Sequence, residues 1–351
     1  MYKALLRAFP IEIPSAIARR LNITNSVKVK RTKMETSYDF NRRWTPILGA
    51  NGGRKSINNN KAATFKLVSY NILAQDLLLE HLYLYQNIQQ EFLTWRRRQQ
   101  NLQRELIRLN PDILCLQEIQ FDHLAPFIQG LGMGSGRRLA YVYKKKTGQR
   151  TDGCAIVYDS TKFQLLDQQA VELHDPDVAL LNREMVALFA KFRFKNYPTP
   201  KEFVVATTHL LYNPKRSDVR CAQLARTLRE LSTFATDDTP VVLTGDFNSE
   251  IFSSPIQLLI GEEGRKEACK ETDTMRFDII DPGEGTVSTY QDNWITVDYI
   301  LRSLCSKSKH KLLPISVYSL PTIQACFRVG KIPNHYLGSD HYATGAIFSV
   351  I

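Results

Sequence analysis

Short, mostly apolar runs alternate along the chain with stretches whose apolar residues recur at helical spacing. Residues 65–70 (FKLVSY) and 113–116 (ILCL) are such runs, each ending abruptly in polar residues. That is the pattern of strands buried on both faces. Between them Phe92, Trp95, Leu102, Leu106 and Leu109 fall near one face of a helical period, so a helix is predicted over 92–109. The same period puts Arg96, Arg97 and Arg98 on its outer face. Asp122 is placed to cap a short helix through Ile128. Residues 139–143 and 154–158 flank the polar loop KKKTGQRTDG as the strands of a hairpin do. More strands are predicted at 185–194, 203–208, 241–243, 296–301 and 343–350. Helices are predicted from Ser217 to Phe234 and from Ser254-Pro255, a proline suited to a first turn.

Hairpin-linked strands with interspersed helices depart from the strict alternation of a doubly wound parallel sheet. The expected fold is α/β, with two mixed β-sheets packed face to face and helices outside. No internal repeat is visible. No apolar run reaches the roughly 18 residues of a spanning helix, so no membrane association is expected.

Charge changes the picture at the N-terminus alone. The net charge is +11, but residues 1–60 hold 12 Lys and Arg against 3 Asp and Glu, and the rest holds 34 against 32. Residues 1–60 are therefore assigned to a basic extension and linker, ending in the Gly/Asn-rich stretch 49–60, and residues 61–351 to one globular domain. A basic, acid-poor segment with Leu5, Leu6 and Phe9 near Arg7 is either a mitochondrial-type presequence or a disordered arm. Six cysteines, at 115, 154, 221, 269, 305 and 326, show no CxxC spacing and are expected to be reduced thiols. No secretory pattern precedes them, so a cytoplasmic or mitochondrial setting is expected rather than secretion.

The chemistry lies where polar residues follow apolar runs. Six such places occur in order: Ser69-Tyr70-Asn71, Leu116-Gln117-Glu118, Thr208-His209-Leu210, Gly245-Asp246-Phe247-Asn248, Val297-Asp298-Tyr299 and Ser339-Asp340-His341. A strand end is rigid and opens at a sheet edge, so side chains there keep fixed geometry. Their carboxylates and amides suit a hard cation such as Mg²⁺ or Mn²⁺, and their imidazoles suit phosphate contact and proton transfer. Each tripeptide alone is weak, and the ordered set carries the argument.

The stretches SYNILAQD, LCLQEIQ, DGCAIVY, THLLYNP, LTGDFNS, TVDYIL and IPNHYLGSDHYA resemble the poly(A)-nuclease branch of the exonuclease/endonuclease/phosphatase superfamily. SYNILAQD and HLLYNPKRSD are most similar to the Angel family within it. The resemblance runs from about Phe65 to the C-terminus, and no leucine-rich repeats precede it. It implies a four-layered, DNase I-like α/β sandwich with a metal site at one end. Carried over by position, it implies Glu118 as the principal metal carboxylate with Asn71 beside it. Asp246 would activate the attacking water and Asn248 would hold a phosphoryl oxygen. His341, oriented by Asp298, would contact the scissile phosphate, with His209 and Asn213 stabilising its charge and Asp340 supporting the metal shell. Pro214 and Trp294 fall where a base would be sandwiched, although Trp294 also reads as a core residue. Two departures stand out. Leu73 replaces an acid found in some endonucleases, and Asn213 replaces an Asp usual in the deadenylases. Lys144, Lys145, Lys146 and Arg150 form either a phosphate-holding patch or an exposed hairpin tip, with Asp152 bracing the loop. His335 reads as a surface residue.

The Angel resemblance implies an Mg²⁺-dependent phosphohydrolase acting on RNA 3′ ends, removing a 2′,3′-cyclic phosphate to leave a diol. A 3′→5′ poly(A) exonuclease is the alternative. A catalytically silent adaptor in mRNA regulation is the third reading. Some Angel proteins hold the translation cap-binding factor through a Tyr-x₄-Leu-apolar motif. No helix carrying that motif is found here, and no obligate protein partner is evident.

Overall fold

The computed structural model describes residues 42–47, 63–133, 136–236, 239–261, 275–304 and 310–351. The basic segment before Arg42, the stretch 49–60, Cys269 and Cys305 lie outside them. The strands are β1 (Trp44–Pro46), β2 (Ala63–Asn71), β3 (Ile113–Gln120), β4 (Leu139–Lys145), β5 (Asp152–Asp159), β6 (Phe163–Glu172), β7 (Val186–Phe194) and β8 (Glu202–His209). They continue as β9 (Val241–Asp246), β10 (Phe277–Ile279), β11 (Thr289–Gln291), β12 (Asn293–Ile295), β13 (Asp298–Ser303), β14 (Leu312–Tyr318) and β15 (Thr344–Val350). The helices are α1 (Gln75–Glu80), α2 (Gln90–Leu93), α3 (Trp95–Leu109), α4 (Phe121–Gly132), α5 (Ser217–Ala235), α6 (Ser254–Ile260) and α7 (Ile323–Val329). None of the described helices is long and apolar enough to cross a membrane.

The strands form two large sheets, ordered β1-β14-β15-β2-β3-β5-β4 and β10-β13-β9-β8-β7-β6, with β11-β12 as a separate hairpin. Their inner faces make one apolar core. Phe65 of β2 lies at its centre, stacked on Phe203 of β8 at 4.4 Å and on Phe348 of β15 at 5.4 Å. The outer face of the first sheet packs against Leu102, Leu106 and Leu109 of α3 and Leu124 and Phe127 of α4. The outer face of the second packs against Leu224, Leu228 and Leu231 of α5 and Ile256 and Leu259 of α6. The result is the expected four layers, two sheets enclosed by helices.

The predicted helix over 92–109 is interrupted at Thr94, whose extended backbone starts α3 and whose hydroxyl accepts from the Arg97 N–H. Asn110, in the left-handed region at φ 49°, ends it before Pro111. Asp122 does not cap α4; it sits in the first turn, where a negative charge meets the helix dipole. Residues 42–47, which the sequence places before the globular part, pack with the fold. β1 pairs with β14, and the buried Arg42 bonds Glu105, the Ser319 carbonyl and the Ala343 carbonyl.

Candidate active site

β2 and β3 run parallel, as do β8 and β9, because helical crossovers join each pair. Their C-terminal ends carry Asn71, Glu118, His209 and Asp246. His209 and Asp246 are paired in register. β13 enters antiparallel with Asp298 opposite Asp246, and His341 lies three residues before β15 begins. Six strands therefore bring residues from 71 to 341 to one end of the sandwich.

Local backbone departures aim the side chains. Glu118 sits at φ 57°, inside the register shift between Leu116 and Ile119 where β3 meets β5. Such a bulge redirects one side chain out of the alternating pattern. Asn248 stands at φ 48°, donates its backbone N–H to Asp246 Oδ1 and gives its side-chain amide to the Leu210 carbonyl.

The buried polar groups form one network. Asn71 Nδ2 donates to Glu118 Oε1 at 2.9 Å and to Asp246 Oδ2 at 3.0 Å. Its Oδ1 accepts the Leu73 N–H, which fixes which end of the amide faces inward. The Ala74 N–H donates to the second Glu118 oxygen. His341 Nδ1 bonds Asp298 at 2.8 Å, and its Nε2 lies 3.7 Å from Asp246 Oδ2. His209 Nε2 lies 3.7 Å from the same oxygen and 3.9 Å from Glu118. Distances this long are not hydrogen bonds, so both Nε2 atoms face the carboxylates uncommitted to them.

Electrostatics separate these groups. Burial and the Asp298 carboxylate push Asp246 up to about 7, against His341 and the Asn71 amide. Burial also raises Glu118, with Lys146 opposing. His209 is held well below the usual histidine range by burial, Lys146 and His341. Burial lowers His341 too, but Asp298 and Asp246 outweigh it and hold the ring charged. Two imidazoles beside one carboxylate thus favour opposite charge states.

The donor set fits a divalent cation. Glu118 and Asp246 offer adjacent oxygens, and burial disfavours their negative charge, which a hard dication would relieve. Ligand atoms of Asp246, Asp298 and His341 also lie within 4.8 Å of one another. In that group His341 Nδ1 is already bonded to Asp298, which favours the oxygen set. The sequence reading makes Asn71 a cation ligand. Its nitrogen faces both carboxylates and fastens them side by side.

Among the remaining expected residues, Asp340 is half-buried and accepts from Tyr85 Oη at 2.7 Å, which ties its loop to the turn after α1. Asn213 and Pro214 are exposed on the loop leaving β8, held by Arg220, which bonds both their carbonyls and Ser249 Oγ. Trp294 is half-buried on the β11-β12 hairpin, 6.1 Å from Tyr342 in a stacked pair. Gln291 of that hairpin donates to Asn248 Oδ1 at 3.4 Å. His335 is half-buried against Phe92 and Arg97.

The sequence reading misses the placement of three residues. Lys146 is buried, 2.7 Å from Asp152 and 3.4 Å from His209 Nδ1. Its neighbours in the hairpin point elsewhere, Lys144 to Glu172 and Arg150 to Glu80 and Glu184. Arg98, assigned to an outer face, is 0 % exposed and binds the carbonyls of Ile72, Leu73 and Gly338. Tyr85 is the third. Lys146 and Arg98 lie in polar local sequence that hides their burial, and the run Leu82–Tyr85 does not show that the Tyr85 hydroxyl meets Asp340.

Comparison with known proteins agrees with this architecture. The model of the Endonuclease/Exonuclease/phosphatase family matches residues 68–341. Protein angel of Drosophila melanogaster is 61% identical over 358 residues, covering all of both chains. Human Protein angel homolog 2 is 39% identical over 228 residues, which is 62% of this chain and 41% of that protein. The crystal structure of ANGEL2, described as a 2′,3′-cyclic phosphatase in complex with adenosine-2′,3′-vanadate, superposes with a TM-score of 0.72 at 30% identity, covering 88% of this chain and 98% of that one. The human Nocturnin catalytic domain, 21% identical with a TM-score of 0.63, shares the fold. With its strand ends assembled as described and its sequence matched from end to end, the chain belongs to the Endonuclease/Exonuclease/phosphatase family and, within it, to the Angel proteins.

Proposed function

We propose that this chain is an Mg²⁺-dependent phosphohydrolase that removes a 2′,3′-cyclic phosphate from RNA 3′ ends. The observation that carries the reading is the convergence of Glu118, Asp246, His209 and the His341–Asp298 pair on one point, fastened by Asn71. The cyclic-phosphatase description of the related ANGEL2 structure supports the choice of ester.

Two hydrolyses reach the diol. Water attacks phosphorus, one ribose oxygen–phosphorus bond breaks, and a monoester remains. A second water then releases inorganic phosphate. Asp246, 3.7 Å from Nε2 of both imidazoles, is the carboxylate placed to accept a proton from the attacking water. Charged His341 donates from Nε2 toward the phosphorus centre and is the acid available to the departing ribose oxygen. His209 stabilises the growing charge on the phosphoryl oxygens. Glu118, with Asp246 alongside, would hold the cation, whose charge stabilises the same oxygens. Trp294 and Pro214 supply an aromatic and an apolar surface for the terminal base.

A paired assay tests the reading. The purified chain is given an oligoribonucleotide ending in cyclic phosphate and, separately, an A-tailed one, each with and without EDTA. The expected result is conversion of the cyclic end to a diol, abolished by EDTA, restored by Mg²⁺ or Mn²⁺, and reduced to background by Glu118→Ala. Shortening of the A-tail with the cyclic end intact would make the chain a 3′→5′ exonuclease.

A further inference from the structure

The two site imidazoles are held at Nδ1 by partners of opposite kind. His341 Nδ1 meets the carboxylate of Asp298, which can only accept. His209 Nδ1 meets the ammonium of Lys146, which can only donate. Lys146 comes from the end of the β4-β5 hairpin but is 4 % exposed. Two contacts keep it there. Its Nζ pairs with Asp152 at 2.7 Å, and its backbone N–H bonds the Asp152 carbonyl at 2.9 Å. Asp152 is itself 1 % exposed, and neither of its carboxylate oxygens has a hydrogen bond among the described residues apart from this ion pair. A buried carboxylate with one cationic partner holds that partner firmly, because separating them leaves both charges uncompensated.

We propose that Lys146, clamped by Asp152, is a positioning residue that locks His209 as the Nε2–H tautomer, making it an obligatory neutral donor to the phosphoryl group. A donor against Nδ1 leaves that nitrogen as the acceptor and places the ring proton on Nε2. Nε2 is the atom that faces Glu118 and Asp246, at 3.9 and 3.7 Å. The flipped tautomer would set a lone pair against the phosphoryl oxygens and an N–H against an ammonium, and both contacts are repulsive. The site thereby differentiates its imidazoles. Asp298 supports a ring that carries charge, and Lys146 supports one that donates without it. This role rests on the phosphohydrolase reading for its consequence, while the tautomer is independent of any substrate.

The test begins on the full chain, without substrate, by ¹⁵N NMR of labelled histidine, with the His209 signals assigned by their loss in His209→Gln. The expected signature is a protonated Nε2 and an unprotonated Nδ1. In Lys146→Met the two tautomers should mix. Turnover of bis(p-nitrophenyl) phosphate, a diester unrelated to RNA ends, should lose roughly 10- to 100-fold in kcat with KM changed less than about threefold. Lys146→Arg, which keeps a donor, should recover most of that loss. If Lys146→Met fails to fold with Asp152 unpaired, the Lys146→Met/Asp152→Asn double variant removes the stranded charge and is expected to show the same mixed tautomers. A protonated Nδ1 in the wild-type protein, or unchanged kcat in a folded variant lacking the ammonium, would overturn the proposal. So would a KM rise at constant kcat, which would make Lys146 a direct phosphate ligand. Failure to process cyclic RNA ends would instead bear on the function alone, since the NMR arm does not use them.

Discussion

Asp246 stands between a charged and a neutral imidazole, and its own proton affinity follows from that setting. Burial and Asp298 raise it to about 7, so between about pH 4 and 7 the folded chain holds a proton that the unfolded chain has released. This carboxyl therefore contributes stability at low pH, and that contribution is lost as pH rises through 7. A dication beside it favours the charged form and reverses the trend. ¹³C NMR of the cation-stripped protein should find the Asp246 carboxyl titrating near 7, with a clear downward move when Mg²⁺ is added. A value near 4 without cation would contradict the buried, Asp298-facing environment. Glu118 and Asn71 obey the same physics at closer range, since one amide holds two carboxylates side by side without adding charge of its own.

α3 links the helical layer to the catalytic loops. Arg98 reaches from it to the carbonyls of Ile72 and Leu73 after β2 and to that of Gly338 before Asp340. Gln75 Oε1 accepts from the same guanidinium at 2.9 Å. One side chain thus joins the loop following Asn71 to the loop leading to His341. Burial lowers its proton affinity to about 10, which still leaves it charged at neutral pH. Arg98→Met should strand these carbonyls, cost about 2–4 kcal/mol in urea unfolding, and lower kcat by roughly 10-fold or more through loop misplacement. An unchanged kcat in the folded variant would show that the loops hold their positions without the clamp. The helical period alone cannot report such a role, because it ranks positions by polarity and Arg98 is polar yet interior.

At the largest scale the sandwich is closed by its first described residues. β1 covers the edge of β14, and Arg42 reaches Glu105 at 3.3 Å and lies over the Tyr318 ring at 4.2 Å. Arg42→Met in the full chain should cost about 3 kcal/mol, read as a lower urea midpoint, because Glu105 loses the cation that compensates it in the interior. kcat per folded molecule should stay unchanged, since the substitution is made outside the catalytic network. The polar, basic run around Arg42 has no apolar periodicity to announce this docking. β14 escapes for a related reason: Pro314 lies inside it at a register shift, where local rules count against a strand.

Most strands, the α/β class and the polar positions that folding brings together were legible from local pattern, because a break from apolar to polar residues is a property of adjacent residues. The Angel-like motifs were legible for the same reason, being short and contiguous. The placements of Lys146, Arg98 and Tyr85 were not. A lysine in KKKTGQ or an arginine in WRRR looks solvated until folding brings Asp152 and His209 to the one and three backbone carbonyls to the other. The inward turn of the Asn71 nitrogen was equally out of reach, since it depends on Glu118 and Asp246 arriving from strands 47 and 175 residues away. Desolvation of a charge is a three-dimensional event, and its sign is set by the partners that packing supplies.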